Sequence, residues 1–252
     1  MLARRLTLNL TLCGLERAIK KATKQRDRVN VIIYADDFVV SGKTKKVLEE
    51  IVRPVVKSFL ATRGLQLSKE KTRITNINEG FDFLGFNVRK FNGKLLIQPS
   101  KDGIKNFLSK VREVIKSNYT SKTENLIRTL NPKIRGWGNY YHHVCSKQSF
   151  KKIDHEIYKS LWRWAMRRHP NKGKKWIYNK YFVDSETWNG CLSIRLGPKR
   201  TLIELLKMQR ISIVRHVKIK GDANPFLPEF KDYFDKRKLE RIPFALSDLP
   251  LF

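Results

Sequence analysis

The stretch that decides the fold is residues 29–41, which read VNVIIYADDFVVS. β-Branched and aromatic residues stand on both sides of an Asp pair, and such runs favour strands over helices. The pattern predicts a β-hairpin with strands over 29–34 and 38–41 and a tip at Ala35–Asp37. Such a hairpin holds two carboxylates at the end of an otherwise apolar ribbon.

Asp36 and Asp37 are the first candidate functional residues. Carboxylates placed among apolar residues cost free energy unless a cation lies against them. Mg²⁺ binds carboxylate oxygens together with substrate phosphates, and two such ions can stabilise both oxygens of a phosphoryl transfer. We expect Asp36 to be a direct catalytic metal ligand and Asp37 to assist it. The alternative is a pair of ordinary turn residues, but the apolar runs on both sides favour the metal site.

The rest of the first part of the chain mixes helices with strands. Residues 44–63 have apolar residues at helical spacing and predict a helix that stops at Gly64. Residues 65–75 and 80–98 alternate in polarity, which predicts short strands. Asn92-Gly93 is a strong signal for a hairpin turn.

From Pro99 onward the pattern is helical. An apolar stripe of period 3.6 follows Pro99 and predicts the first helix. A second is expected over 122–130, a third from Asn131-Pro132 and a fourth over 149–168, with a further helix near 199–209. Short loops between the first four indicate a small bundle.

The charge of the chain points to a polyanion. Its 252 residues include 53 Lys and Arg against 23 Asp and Glu, which gives a net charge of +30. Lys and Arg residues that bind nucleic-acid phosphates release counterions, and this release favours binding. Because 41% of the residues are hydrophobic, the chain is not a disordered basic tail. A metabolic enzyme that binds only a small cofactor does not need this excess.

Cations and aromatic residues are interleaved in the helical part. Cations can neutralise phosphates, and exposed rings can stack on bases. The alternatives are that most of the rings belong to the bundle core and that the cations form a merely solvated face. The expected RNA-binding residues are Arg135, Trp137, Tyr140, Tyr141, Lys151, Lys152, Lys159, Arg163, Arg167, Arg168, Lys172, Lys174 and Lys175.

YADD at 34–37 resembles the catalytic-loop motif of reverse transcriptases. Further segments resemble group II intron reverse transcriptases and maturases in collinear order over essentially the whole chain. They are GLQLSKEKTRI (64–74), FDFLGF (81–86, with the primer-grip strand), IRGWGNYYHHV (134–144) and FKKIDHEIYKSLWRWAMRRHP (150–170) in the thumb or domain X, and GDANPF (221–226) in the DNA-binding region.

The resemblance implies an α+β fold. A partial reverse-transcriptase palm of short antiparallel strands with helices would occupy 1–98 and carry the YADD hairpin and the primer-grip strands. A helical thumb bundle, or maturase domain X, would follow at 99–170. A small basic region similar to the family's DNA-binding region would occupy 171–252.

The resemblance also implies a function. The protein would bind group II intron RNA and assist splicing, and it would copy RNA into DNA with Mg²⁺ at Asp36 and Asp37. A DNA target is a further expected partner. The residues expected to contact substrate or primer are Tyr34, Ala35, Phe83, Leu84 and Gly85.

One departure from the family concerns a further palm Asp that its polymerases need upstream of YADD. Before Tyr34 the only acids are Glu16 and Asp27, and neither stands in a hydrophobic strand. We therefore expect polymerase activity only with a separate fingers/palm polypeptide. An open sheet edge would also allow a homodimer. The alternatives are a general basic RNA-binding protein or an inactive truncated remnant.

The cysteines and the N-terminal segment bear on cofactors and location. Cys13, Cys145 and Cys191 are widely spaced, which argues against a disulfide framework or zinc site. We expect no zinc, no haem, no nucleotide cofactor and no endonuclease domain. No apolar run approaches a membrane span of about 20 residues. We expect no membrane partner and no secretion, and a cytoplasmic or, in a eukaryote, organellar location. An amphipathic helix is favoured over a signal peptide by the helical spacing of Leu8, Leu12, Leu15 and Ile19.

Overall fold

The structure is a computed structural model that describes residues 11–68, 70–182, 191–196, 201–215, 219–220 and 223–241. The chain divides into two compact units, Met1–Asn106 and Phe107–Phe252. The regular elements of the described residues are helices and small antiparallel sheets, as the α+β prediction requires. Among these residues, no helix is both long and apolar enough to cross a membrane.

The first unit begins with a helix and the predicted hairpin. The hairpin is confirmed, and its turn is formed by Ala35 and Asp36. The helix predicted over 44–63 is also present, but it widens into a π-type turn just before Pro54, which has no N–H to donate. The elements are α1 (Leu15–Ala22), β1 (Asn30–Tyr34), β2 (Asp37–Ser41), α2 (Lys45–Val47), the π turn (Leu48–Val52) and α3 (Arg53–Ala61).

A small hydrophobic core joins these elements. One face of the hairpin packs on it through Val31, Phe38 and Val40. The predicted amphipathic N-terminal helix is confirmed only from Leu15 onward. Leu12 lies in a turn before it, and Leu8 lies outside the described residues. The buried core residues are Leu12, Leu15, Ile19, Val52, Val56 and Leu60.

The prediction of a strand over 65–75 is wrong for the described part of that segment. It forms turns and irregular chain, and Leu65 and Leu67 supply side chains that pack against the core. The alternation in polarity reflected core contacts from a loop. Residues 80–98 form a three-stranded meander of β3 (Phe81–Phe83), β4 (Phe86–Phe91) and β5 (Lys94–Pro99).

Two tight turns connect this meander. The Asn92-Gly93 turn is confirmed, with φ values of 45° and 80° that suit Asn and Gly. The turn at Leu84-Gly85 was missed, because Leu rarely adopts a positive φ and Leu84 has a φ of 51°.

The second unit is mainly helical. Side chains of four helices meet in its core, among them Phe107, Leu126, Phe150, Ile153 and Ile177. Its described elements, with α4 starting before the division, are α4 (Lys101–Ser117), α5 (Thr123–Tyr141), α6 (Lys147–Arg168), α7 (Lys174–Tyr181), β6 (Ser193–Leu196), β7 (Thr201–Glu204), two 3₁₀ turns (Met208–Arg210 and Pro228–Phe230) and α8 (Lys231–Arg241).

Two helix predictions in this unit are wrong. Helix α5 runs through Pro132 instead of ending there. Leu130 and Ile134 are fully buried on either side of the proline, so tertiary packing overrides its cost. The helix expected near 199–209 is absent from the described part of that segment, where β7 and a 3₁₀ turn stand instead.

Polar side chains of α6 hold the chain that follows β7. The Asp154 carboxylate accepts hydrogen bonds from the backbone N–H groups of Met208 and Gln209, each at 2.9 Å. The Lys147 ammonium donates to the carbonyls of Gln209 and Ile211, each at 2.8 Å. These bonds satisfy backbone groups that no helix or strand pairs.

Helix α5 contributes a third tie to the same segment. The Asn131 amide donates to the Glu204 carbonyl at 3.0 Å and accepts from the Leu206 N–H at 2.8 Å. At Gly138 an added Cβ would lie 2.1 Å from Cδ1 of Ile211, so glycine permits the close approach here. We call Asn131, Lys147 and Asp154 the polar clamp.

The cysteines differ in environment. Cys13 and Cys145 are exposed, whereas Cys191 is buried and its Sγ lies 3.0 Å from the Leu205 carbonyl oxygen. Burial and then the negative charge of Glu204 raise the pKa of the Cys191 thiol to about 11.

We predict that Asp154→Ala destabilises the second unit by about 1–3 kcal/mol, because two backbone N–H groups lose their acceptor. Urea unfolding would measure the loss, and hydrogen exchange would accelerate at the Met208 and Gln209 amides. Glu113→Ala on the exposed side of α4 is the control, with an expected change within about 0.5 kcal/mol. Equal effects of the two variants would contradict the clamp.

Candidate functional site

The YADD hairpin presents its carboxylates at the turn. Tyr34 pairs with Asp37 across the strands, so their side chains share one face, and Asp36 occupies the turn itself. Ala35 has a φ of 53°, a conformation that L-residues rarely adopt. A backbone outlier inside a chemical motif supports a functional reading of that motif.

The structure corrects the reason for singling out the acids. Asp36 and Asp37 are exposed, so they are not carboxylates trapped among apolar side chains. The apolar flanks exist because one face of the hairpin packs on the core, while on the other face Ile32 is 60% and Tyr34 is 61% exposed. Alternation along a two-sided ribbon explains the run.

The donor chemistry of the pair fits Mg²⁺. That ion keeps several waters and binds through one or two carboxylates plus substrate phosphates, and an exposed pair leaves room for them. Among the residues that the structure describes, no group of three or more His, Cys, Asp or Glu side chains could hold a metal. Asp36 and Asp37 therefore remain a two-ligand candidate in their own unit.

The FLGF motif forms the turn between β3 and β4. Phe83 pairs with Phe86, and Leu84 and Gly85 make the turn at φ values of 51° and 79°. The Gly85 carbonyl accepts a hydrogen bond from Ser100 N at 2.8 Å, which ties the turn to the end of β5. Phe83, Leu84 and Gly85 are thus brought together, half-buried, at a second strained turn.

Helix α6 carries the basic face expected from the sequence. It contains seven Lys and Arg against two Asp and Glu. Positions four apart are neighbours on the surface of a helix, and the residues at 151, 155, 159, 163 and 167 follow one another across the exposed side of α6. We call this set the α6 row: Lys151, His155, Lys159, Arg163 and Arg167.

The two acids of α6 are engaged within the fold. Asp154 belongs to the polar clamp, where burial raises its pKa and the two N–H bonds oppose that rise. Glu156 lies 3.2 Å from Lys159 and 2.9 Å from Arg112 of α4. Both contacts lower the pKa of Glu156, and the contact with Lys159 has the larger effect. The row therefore keeps the exposed charges of Lys151, Arg163 and Arg167, while Lys159 is paired with Glu156.

The predicted cations fall into different roles. Lys151, Lys152, Arg163, Arg167 and the lysines at 172, 174 and 175 are exposed. Lys159 shares its charge with Glu156. Arg168 donates to the Ser121 carbonyl and lies over the Trp164 ring, so it stabilises the fold rather than the basic face.

The predicted aromatic contacts need correction. Tyr141 is only 4% exposed, and Trp137 packs against the rings of Phe107, Tyr141 and Phe150. The faces of both rings pack inside the core, as expected from the alternative that most of the rings belong to the bundle core. Tyr140 is 49% exposed, and Arg135 is exposed as well, so both stay candidates.

One aromatic residue is absent from the expected RNA-binding residues although lysines flank it in the sequence. Trp176 of α7 is 39% exposed, with the Lys172 and Lys180 ammoniums 5.5 and 4.7 Å from its ring centroid. The lysines flanking it in sequence are the signal that could have indicated it.

Two family models match this chain. Residues 6–88 match the reverse transcriptase (RNA-dependent DNA polymerase) family, and residues 104–182 match the group II intron maturase-specific domain. The first match contains the YADD and FLGF turns, and the second contains α5, α6 and α7.

Relatives cover part of the chain. It is 28% identical to ribosomal operon-associated A protein of Euglena longa, over 49% of this chain and 24% of that protein. It is 29% identical to group II intron-encoded protein LtrA of Lactococcus lactis subsp. cremoris, over 47% and 25%. It is 30% identical to maturase-like protein 1 of Euglena gracilis, over 37% and 21%.

The chain thus matches about a quarter or less of the length of these relatives. The matches agree with the resemblance carried by the motifs and with their order. In chain order, a segment similar to reverse transcriptases is followed by a segment similar to the group II intron maturase-specific domain.

Proposed function

We propose that this protein binds group II intron RNA through its second unit and assists splicing. The observation that carries the proposal is the α6 row inside the maturase-specific segment. Asp154 is held in the polar clamp and Glu156 pairs with Arg112 and Lys159, so Lys151, Arg163 and Arg167 are the exposed cations left to meet a ligand. An excess of exposed cations attracts phosphates, and counterion release supplies the affinity. Lys172, Lys174 and Lys175 extend the positive surface beyond the end of α6.

We predict that combining Lys151→Gln, Arg163→Gln and Arg167→Gln lowers the slope of log K against log salt by about 3, since each removed phosphate contact lowers it by about 1. Filter binding of a group II intron RNA between 50 and 200 mM salt would measure this. Wild-type affinity should fall by about 10³–10⁵ over that range if six to ten phosphates are contacted.

The matched control is the combination of Lys21→Gln, Lys57→Gln and Lys94→Gln, which removes the same charge from exposed positions of the first unit. If the control lowers the slope equally, the effect of the α6 substitutions reflects the net charge of the protein, and the α6 row is not a specific RNA-binding site. Equal binding of bulk tRNA and an unchanged splicing rate of the intron would reject the maturase function.

The second candidate function is RNA-directed DNA polymerase activity. The exposed Asp36 and Asp37 at a strained turn within the reverse transcriptase segment support it. Bound Mg²⁺ would supply charge for transfer of a nucleotidyl group to a primer end. A separate polypeptide would supply the fingers and the further palm carboxylate. Binding of a DNA target and formation of a homodimer are further parts of this second proposal.

We predict that Asp36→Asn removes metal binding at the hairpin. Mn²⁺ added to the intact chain should broaden the amide signals of residues 34–38 in the wild type and spare them in the variant. In any assembly where the wild-type chain extends a primer, Asp36→Ala should abolish extension. Asp37→Asn should weaken both effects, because Asp37 assists.

Glu79→Gln, an exposed acid in the loop before β3, is the control for general loss of negative charge. Mn²⁺ broadening that persists in Asp36→Asn, or primer extension that survives Asp36→Ala, would overturn the assignment of Asp36. Neither outcome depends on RNA binding by the second unit.

A further inference from the structure

Cationic and aromatic side chains form a cluster at the C-terminal end of α6 and along α7. None of them belongs to the α6 row. Trp176 is the cluster's most exposed ring, with Lys172 and Lys180 within 6 Å of the ring centroid and the His169 ring 5.0 Å away. The Tyr181 hydroxyl and Nε2 of His169 lie 2.8 Å apart, which fixes the imidazole. We call these five residues the Trp176 corner.

The corner has an excess of positive charge. Each ammonium is attracted to the negative face of the indole, but Lys172, Lys180 and the nearby Arg168 all act on the same imidazole. Partial burial and then these charges lower the pKa of His169. A bound anion would relieve the repulsion among the cations.

We propose that the Trp176 corner binds an unpaired nucleotide of the RNA. The base lies against the Trp176 ring, and Lys172 and Lys180, whose ammoniums lie over that ring in the absence of RNA, turn to the adjoining phosphates. The inference rests on the proposed function, and it adds a preference for single-stranded segments. Only an unpaired base can leave its stack and place its face on a protein ring. An acidic peptide would need the lysines but not the ring.

The first test compares a 12-nucleotide single-stranded RNA with the same strand annealed to its complement. Trp176→Ala should weaken binding of the single strand by about 5- to 150-fold, the range of one base stacked on one ring. Its effect on the duplex should stay below about twofold, and the salt slope should not change. Trp176→Phe should keep most of the affinity, because it keeps an aromatic face.

The second test separates charge from stacking. Lys172→Gln and Lys180→Gln should each lower the salt slope by about 1 on the single strand. Tyr119→Ala is the control for removal of an exposed ring, since Tyr119 is 43% exposed, and it should leave both slope and affinity unchanged.

A direct readout at the corner is the ionisation of His169. A phosphate placed between the lysines offsets their charge, so the pKa of His169 should rise when the single strand is added. NMR titration can follow this, with His169→Gln identifying the signal among the five histidines. The measurement uses wild-type protein, so it stands even if Trp176→Ala fails to fold.

The outcomes are distinguishable. Equal losses on single strand and duplex, or a His169 pKa that does not move, overturn the nucleotide site. If Trp176→Ala binds normally while the α6 substitutions still reduce the slope, the corner is excluded and the proposed RNA binding stands. If intron RNA shows no salt-dependent binding at all, the proposed function fails first.

Discussion

Burial of the apolar side of α6 is the interaction on which the second unit depends. Phe150, Ile153, Ile157, Leu161 and Trp164 are each at most 3% exposed along this one helix. Full burial of such side chains contributes about 1.5–3 kcal/mol apiece. Rings from neighbouring helices complete the contact, with Trp137 against Phe150 and Tyr181 against Trp164. A helix held this firmly can carry many like charges on its opposite side.

The acidic residues of α6 also make contacts within the second unit. The two acids face neighbouring elements, and one of them holds the 3₁₀ turn after β7 while the other reaches α4. The fold thus holds one acid in the polar clamp and pairs the other with Arg112 and Lys159, which leaves an excess of positive charge on the exposed side. Net charge alone indicated a polyanionic partner, and this arrangement locates the cations that can meet it.

Periodicity predicted the elements whose packing is local. The YADD hairpin, α4 and α6 were correct because their apolar spacing reports one buried face each. The helix break predicted at Pro132 was wrong because the burial of Leu130 and Ile134 comes from tertiary contacts that outweigh the local effect of a proline. Residues 65–75 misled because loop side chains also reach the core.

The candidate sites were predictable to different degrees. The motif identified Asp36 and Asp37, although their exposure contradicts the argument from burial. Helical spacing could have separated the buried Tyr141 from the exposed Tyr140, because Tyr141 stands two turns after the buried Ile134 and neighbours on a helix point in different directions. The polar clamp joins positions far apart in sequence, and no local signal marks such a set.

The cysteines offer a practical handle on how the two units behave. Cys13 lies in the first unit and Cys145 in the second, and both thiols are exposed. Cys191 stays protonated at neutral pH because its pKa is about 11, and its burial shields it further. Thiol-reactive dyes will therefore mark each unit once in the natural sequence. Energy transfer between a donor and an acceptor on these two positions can then follow the separation of the units as RNA is added.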